Sequence, residues 1–252
     1  VQKSEKGVIF IVSGSDYYLK EAIHSAKSLK KYSPTISITL FSNIVLKELE
    51  RQYFDFQYDL DSNIHPLKAK VKYLEKSPYE ITLFLDSDTE IRKPIDELFE
   101  FMNHYDLGLA KDNLVDWTQS PPKFIDYIDP DFFNTGLLLF KKTEPVKLFF
   151  AKWIEILDQQ DESIMKPGYF CDQHYFNVLT KDLSFHKNVS MELLVLPNKI
   201  YNVRPWAIEE LIKTREYKNI KIIHMHGLNN QKYSSRLKFF LFKIAERIKL
   251  IH

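Results

Sequence analysis

Two aspartates one residue apart, Asp86 and Asp88, follow an apolar run over 81–85 in the hexapeptide Phe84-Leu85-Asp86-Ser87-Asp88-Thr89. A buried strand has no use for acids at its tip. A divalent cation carrying a diphosphate does, because it needs hard oxygen ligands on a rigid element with coordination positions left open for substrate oxygens. Asp is also common where strands end, so the pair alone fits a solvated turn equally well, and the rest of the chain decides. Neither G-x-G-x-x-G nor G-x-x-x-x-G-K-[ST] occurs, and there are only six glycines. Any phosphate must then be held by a metal and side chains and not by a glycine-rich loop.

The elements that must position these groups alternate apolar runs of strand length with amphipathic stretches of helix length, which predicts an α/β sheet flanked by helices. Residues 8–12 read as the first strand. Ser13-Gly14-Ser15-Asp16 then offers turn and N-cap chemistry to a helix with Ala22, Ile23, Ala26 and Leu29 on its apolar face. A strand over 36–41, a short helix over 44–51 and a helix over 68–76 lead to the strand that ends at Asp86. A strand over 136–140, helices near 146–157 and 172–179 and a strand over 221–225 complete the reading. Residues 112–131, with Trp117, Pro121 and Pro122, show no period and read as a long loop over the site.

Composition limits the function. The 252 residues, 44% hydrophobic and 14% aromatic, suffice for one sizeable core, so a single domain is expected. With 35 basic and 34 acidic residues no global field draws the chain to nucleic acid. A single cysteine, Cys171, excludes an internal disulfide and a cysteine zinc cage and fits a reducing compartment. No run reaches the roughly 18 apolar residues of a membrane helix, and the first six residues lack the apolar core of a signal peptide. The expected location is the cytoplasm, or a lumen if an N-terminal anchor has been removed.

Several segments, in order, resemble the GT-A-fold glycosyltransferases, most closely glycosyltransferase family 8, the group of glycogenin and bacterial lipopolysaccharide galactosyl- and glucosyltransferases. The likeness spans roughly residues 8–227. Its motifs are Ser13-Gly14-Ser15-Asp16-Tyr17-Tyr18 before a helix with Ser28-Leu29, Lys70 sixteen residues before Asp86, and Asp86-Ser87-Asp88. They continue with Phe133-Asn134-Thr135-Gly136, Asp172-Gln173 and His224-Met225-His226-Gly227. The family's lysine and tryptophan after the last glycine are absent, since Gly227 is followed by Leu-Asn-Asn-Gln-Lys-Tyr.

The resemblance implies a Rossmann-like mixed sheet flanked by helices and a site divided among these motifs. Asp86, Asp88 and His224 would hold Mn²⁺ or Mg²⁺. An imidazole beside two carboxylates suits manganese somewhat better, and His226 would stand behind His224. Ser13, Gly14, Ser15 and Asp16, with Tyr17 or Tyr18 stacked on the base, would form the nucleoside pocket of a UDP-linked hexose donor. Lys70, Asp86, Ser87, Asn134, Thr135 and Gly227 would contact its sugar and phosphates. Asp172 and Gln173 would lie at the reacting carbon, where transfer proceeds with retention, and Asp112 is a further carboxylate near the loop. Asp172 is also placed to cap its helix.

The implied reaction is hexose transfer from the donor to a glycan, glycolipid or protein hydroxyl. The domain is expected over 1–230, followed by a basic amphipathic helix over 231–252. From Lys232 onward the tail carries six Lys or Arg and one acid among Leu237, Phe239, Phe240, Leu241, Phe242, Ile244, Ile248, Leu250 and Ile251. This suits either peripheral contact with an anionic membrane or a C-terminal helix docked on the core. Two other classes compete. A haloacid dehalogenase-type phosphatase would use Asp86 as nucleophile, but that fold places its motif after the first strand and no Gly-Asp pair occurs here. A catalytically inactive nucleotide-sugar-binding protein would keep donor affinity without turnover.

Overall fold

The structure, a computed structural model, describes residues 5–112, 132–162 and 172–225. The loop expected beyond Asp112, Cys171, the residues His226 and Gly227 and the basic tail lie outside the described residues. Along the chain the elements are β1 (Lys6–Val12), α1 (Asp16–Tyr32), β2 (Ser37–Ser42), α2 (Glu48–Arg51), β3 (Phe56–Asp59) and α3 (Pro66–Leu74). Then come β4 (Ile81–Leu85), β5 (Thr89–Ile91), α4 (Glu97–Phe101), β6 (Leu107–Lys111), β7 (Phe133–Lys141) and α5 (Glu144–Asp158). The last are α6 (Asp172–Thr180), α7 (Leu183–Asn188), β8 (Leu193–Leu196), α8 (Asn198–Tyr201), α9 (Ile208–Lys213) and β9 (Ile222–His224).

Seven strands form one sheet in the order β3-β2-β1-β4-β7-β6-β8, and β5 pairs with β9 in a separate ribbon. β1 is parallel to both β2 and β4, whereas β7 runs antiparallel to β4 and β6. The chain leaves β1 to one side for β2 and returns on the other side for β4. The carboxyl ends of β1 and β4 therefore flank the crevice where strand order reverses, the usual ligand position in open α/β sheets. Both polar motifs, Ser13–Asp16 and Asp86–Asp88, emerge there.

Strand periodicity divides the core in two. Val8, Phe10, Val12, Leu83, Leu85, Leu137 and Leu139 pack with α1 and α4 through Leu19, Ala22, Ala26, Leu98 and Phe99. The alternate residues Ile9, Phe84, Leu138 and Phe140 pack with α3, α5 and α6 through Val71, Phe149, Trp153 and Phe176. Every such strand is thus buried on both faces, which is why its sequence reads as a near-continuous apolar run. A smaller cluster of Val203, Ile208, Leu211, Ile220, Ile223 and Met225 supports β9.

Trp153 joins this packing to the site. Its ring is fully buried and lies edge-on to Phe176 at 4.9 Å, and its indole N–H donates to the Asp172 carbonyl at 3.0 Å. Trp153→Ala should lower unfolding free energy by about 3–5 kcal/mol, the usual cost of truncating a buried aromatic. Urea denaturation checks this, and a loss under about 1 kcal/mol would mean that α5 and α6 are held by other contacts.

The structure differs from the sequence expectations in three respects. The helix expected over 44–51 is confined to Glu48–Arg51, because Ser42 Oγ accepts the Ile44 N–H and the Glu50 carboxylate caps the Lys47 N–H. β3, β5, β6 and β8 and the helices α4, α7, α8 and α9 are not among the expected elements: β3 is mostly exposed and each of the eight spans only three to six residues, so none carries a usable period. Asn134 and Thr135 do not precede their strand but belong to it, since β7 begins at Phe133.

Candidate active site

The Asp86–Asp88 turn is closed from several sides. Asp86 N–H donates to the Gly136 carbonyl at 2.8 Å, extending the β4–β7 ladder by one residue. Thr89 Oγ1 donates to the Asp86 carbonyl at 3.0 Å and pairs with Ser25 Oγ at 2.7 Å, while the Ile91 N–H donates to Ser28 Oγ at 2.9 Å. Ser28 therefore docks β5 on α1. β9 then pairs with β5, with Thr89 opposite His224, and the Met225 N–H donates to the Asp88 carbonyl at 2.8 Å.

This pairing brings His224 to the two acids. Its Nε2 lies 3.2 Å from Asp88 Oδ1 and 3.7 Å from Asp86 Oδ2, and one ligand atom from each of the three residues lies within 4.8 Å of the others. On the far side of the ring, Nδ1 meets Asn202 Oδ1 at 2.9 Å. An amide oxygen can only accept, so that bond uses the Nδ1 proton and turns Nε2 toward the carboxylates. Metal-binding histidines are commonly oriented this way.

Gly136 supplies a second fit to a cation. A Cβ there would fall 2.1 Å from His224 Cε1 and 2.6 Å from Asp86 Oδ2. The absence of a side chain is what lets the imidazole and the carboxylate converge. Two hard carboxylates and an imidazole form a donor set of the kind that holds a divalent cation.

Lys70, from α3, joins this centre to the Asp172-Gln173 pair. Its ammonium lies 3.1 Å from Asp86 Oδ1, 2.9 Å from Asp172 Oδ2 and 3.3 Å from Thr135 Oγ1, and 5.2 Å from the centre of the Phe84 ring. Burial disfavours the charged lysine, but Asp172 and Asp86 together outweigh it and hold its pKa above the ordinary value. For Asp86 burial pushes the carboxyl up, Asp88 and Asp172 add to this, and Lys70 and His224 oppose it. Lys70 thus pairs with two of the three acids, Asp86 and Asp172.

Asn134, Thr135 and Gln173 form one network. Thr135 Oγ1 donates to Asp172 Oδ2 at 2.9 Å, and Gln173 Oε1 accepts from Asn134 Nδ2 at 2.9 Å and from the Thr135 N–H at 3.2 Å. Adjacent strand residues ordinarily face opposite sides. Here the register shifts: Leu109 pairs with Leu138 but Ala110 pairs with Asn134, so Thr135, Gly136 and Leu137 form a bulge against one step of β6. Bulges next to active sites re-aim side chains in this way.

At the first loop, Gly14 has a left-handed φ of 83° and its N–H points to Asn43 Oδ1 at 3.4 Å. Ser15 caps α1 by accepting the Tyr17 N–H at 3.2 Å, and Asp16 opens the first turn. Tyr17 donates to Glu21, whereas Tyr18 is 46% exposed and meets Tyr17 edge-on at 5.6 Å. Ser13 is half-buried beside the loop, and Ser87 Oγ donates to Glu21 Oε2 at 3.4 Å. Asp172 is buried at the start of α6.

Four residues outside the sequence-based set belong to this site. Glu21 links Tyr17 to Ser87, Asn202 orients His224, and Arg204 holds Asp112. Asn177 staples α6 to β7 by accepting the Phe133 N–H at 2.6 Å and donating to the Phe133 carbonyl at 2.9 Å. Only Glu21 left a sequence signal, four residues after Tyr17 on one helix face.

A family model described as nucleotide-diphospho-sugar transferase matches residues 48–237. Galactinol synthase 5 of Arabidopsis thaliana is 23% identical over 212 residues, covering 70% of this chain and 61% of that protein. The glycosyltransferase GlyE of Streptococcus pneumoniae TIGR4 superposes with a TM-score of 0.62 at 18% identity, over 95% of this chain and 60% of GlyE. The galactosyltransferase LgtC, solved with donor and acceptor sugar analogs, gives a TM-score of 0.55 at 16% identity, over 93% of this chain and 94% of LgtC. The chain spans about three fifths of the length of galactinol synthase 5 and of GlyE. The structural likenesses establish the GT-A glycosyltransferase fold.

Proposed function

The chain belongs to the nucleotide-diphospho-sugar transferase family, and from that premise we propose that it moves a hexose from a UDP-linked donor to a hydroxyl acceptor, with retention. The observation that carries this reading is the convergence of Asp86, Asp88 and His224, with ligand atoms within 4.8 Å of one another, beside a lysine shared with Asp172. These three side chains would hold Mn²⁺ or Mg²⁺, which when bound neutralises charge on a leaving nucleoside diphosphate.

The chain's own groups do the rest. The Tyr17–Tyr18 pair offers a base a stacking face on a loop that Gly14 turns and Ser15 caps. Lys70 can exchange one of its carboxylate partners for a donor oxygen. Asn134, Thr135 and Gln173 present a fixed polar wall to the transferred sugar, and the buried Asp172 stabilises positive charge that develops at the reacting carbon. The leaving phosphate takes the acceptor proton in this reading, so no separate general base is required. Family membership favours transfer over a phosphatase with Asp86 as nucleophile, and the complete acidic and amide set favours turnover over a binding relic.

The purified chain incubated with UDP-hexoses should release UDP only while Mn²⁺ or Mg²⁺ is present. EDTA should reduce release at least ~100-fold and added Mn²⁺ restore it. Release undiminished in EDTA would defeat the metal assignment, and no release or binding across nucleotide sugars would defeat the donor assignment.

A further inference from the structure

A buried ion pair lies against the amide of Gln173. Arg204, 1% exposed, donates Nε and Nη2 to Asp112 Oδ1 at 3.3 and 3.2 Å. Asp112, 5% exposed at the end of β6, accepts from Gln173 Nε2 on its other oxygen at 3.2 Å. The far end of the same amide, Gln173 Oε1, accepts from Asn134 Nδ2 and the Thr135 N–H.

The sense of each bond follows from chemistry. A backbone N–H can only donate, so the Thr135 N–H must face the amide oxygen. Asn134 is itself fixed, because its Oδ1 accepts the Gly136 N–H at 2.9 Å and leaves Nδ2 for Gln173. A carboxylate paired to a guanidinium can only accept, which assigns the amide nitrogen to Asp112. The Gln173 side chain therefore has a single flip state, set from both ends.

A buried ion pair is a poor stability device, since an apolar pair of similar volume usually serves the fold as well or better. Its presence beside Gln173 calls for another use. The geometry points to Arg204 and Asp112 as positioning residues: they hold the Gln173 amide in one orientation at the reacting end of the site. This rests on the reading of Gln173 as a group facing the transferred sugar.

The test uses the full chain and the double variant Asp112→Leu/Arg204→Met, which replaces the ion pair by apolar groups. Its melting temperature should stay within about 5 °C of wild type. With UDP-hexose and Mn²⁺, kcat should fall at least ~tenfold, while KM for the donor changes less than ~threefold, as expected when orientation and not binding is lost. Asp112→Asn/Arg204→Met keeps an oxygen acceptor for Gln173, and its kcat should lie ~threefold or more above that of the apolar pair.

A readout independent of turnover is the Gln173 side-chain NH₂ signal in ¹⁵N spectra, identified by its loss in Gln173→Leu. It should exchange slowly with water in wild type and faster in the apolar pair. A folded apolar pair with wild-type kcat and an unchanged NH₂ signal would overturn the proposal. If wild type turns over no nucleotide sugar, the donor reading fails and the NH₂ signal alone decides the positioning role. Should the apolar pair not fold, the same signal and kcat in Arg204→Lys decide, because lysine keeps the charge but lacks the planar fork.

Discussion

Asp88→Asn should yield a folded protein that binds Mn²⁺ at least ~100-fold more weakly and transfers sugar at least ~1,000-fold more slowly. Asparagine keeps the shape of the side chain and removes its charge. The Asp88 backbone carbonyl still accepts the Met225 N–H, so the β5–β9 ribbon should survive. What disappears is the negative charge that Asp88 places beside Asp86, together with the oxygen 3.2 Å from His224 Nε2. A neutral amide is a weak ligand for a hard cation, and the remaining cluster has less charge to neutralise. His224→Ala should move both quantities the same way. Manganese binding followed by water-proton relaxation and UDP release followed by chromatography test the two halves separately. Either variant working within threefold of wild type would falsify the metal assignment.

The second large effect is expected from a single methyl group. In Gly136→Ala the new carbon would stand 2.1 Å from His224 Cε1 and 2.6 Å from Asp86 Oδ2, so one of them must move. Neither moves freely. The imidazole is 2% exposed and tied to Asn202, and the Asp86 carboxylate is paired with Lys70. The backbone raises no separate obstacle, because among described glycines only Gly14 has a positive φ. We expect Mn²⁺ affinity and donor turnover to fall by ~100-fold or more, as when the support of a ligand is lost. The melting temperature should drop by less than ~10 °C, since overpacking typically costs about 1–3 kcal/mol. Calorimetric Mn²⁺ titration beside a thermal melt separates the two, and native metal affinity would show that the ring is not confined as described.

What could be read from sequence follows the range of the forces involved. The strands read at 8–12, 36–41 and 81–85 were legible because burial on both faces writes itself as a continuous apolar run. The crevice was legible as polar residues placed just after two of those runs. β3, β5, β6 and β8 were not, because a mostly exposed edge strand and runs of only three to five residues carry almost no pattern. His224 entered only through a family resemblance, since a histidine in an apolar strand looks like any buried imidazole. Asn202 and Arg204 were out of reach for a different reason. Asn202 acts on His224, 22 residues away, and Arg204 on Asp112, 92 residues away. Such pairings are decided by tertiary neighbours that no local spacing announces. Asn134 and Thr135 stood out as polar residues ahead of an apolar run, but their place inside β7 depended on a register shift that side-chain types do not signal.

That shift has a consequence for how this scaffold can diverge. Asn134, Thr135 and Gly136 stand side by side in the chain, and each does a separate job in one small volume. Losing one of the three extra residues would change the bulge and turn the side chains beyond it toward the opposite layer. The sheet itself would persist, with its apolar layers intact. A lineage built on this frame therefore has a one-step route from turnover to mere ligand capture, through a deletion that composition and overall shape would barely register.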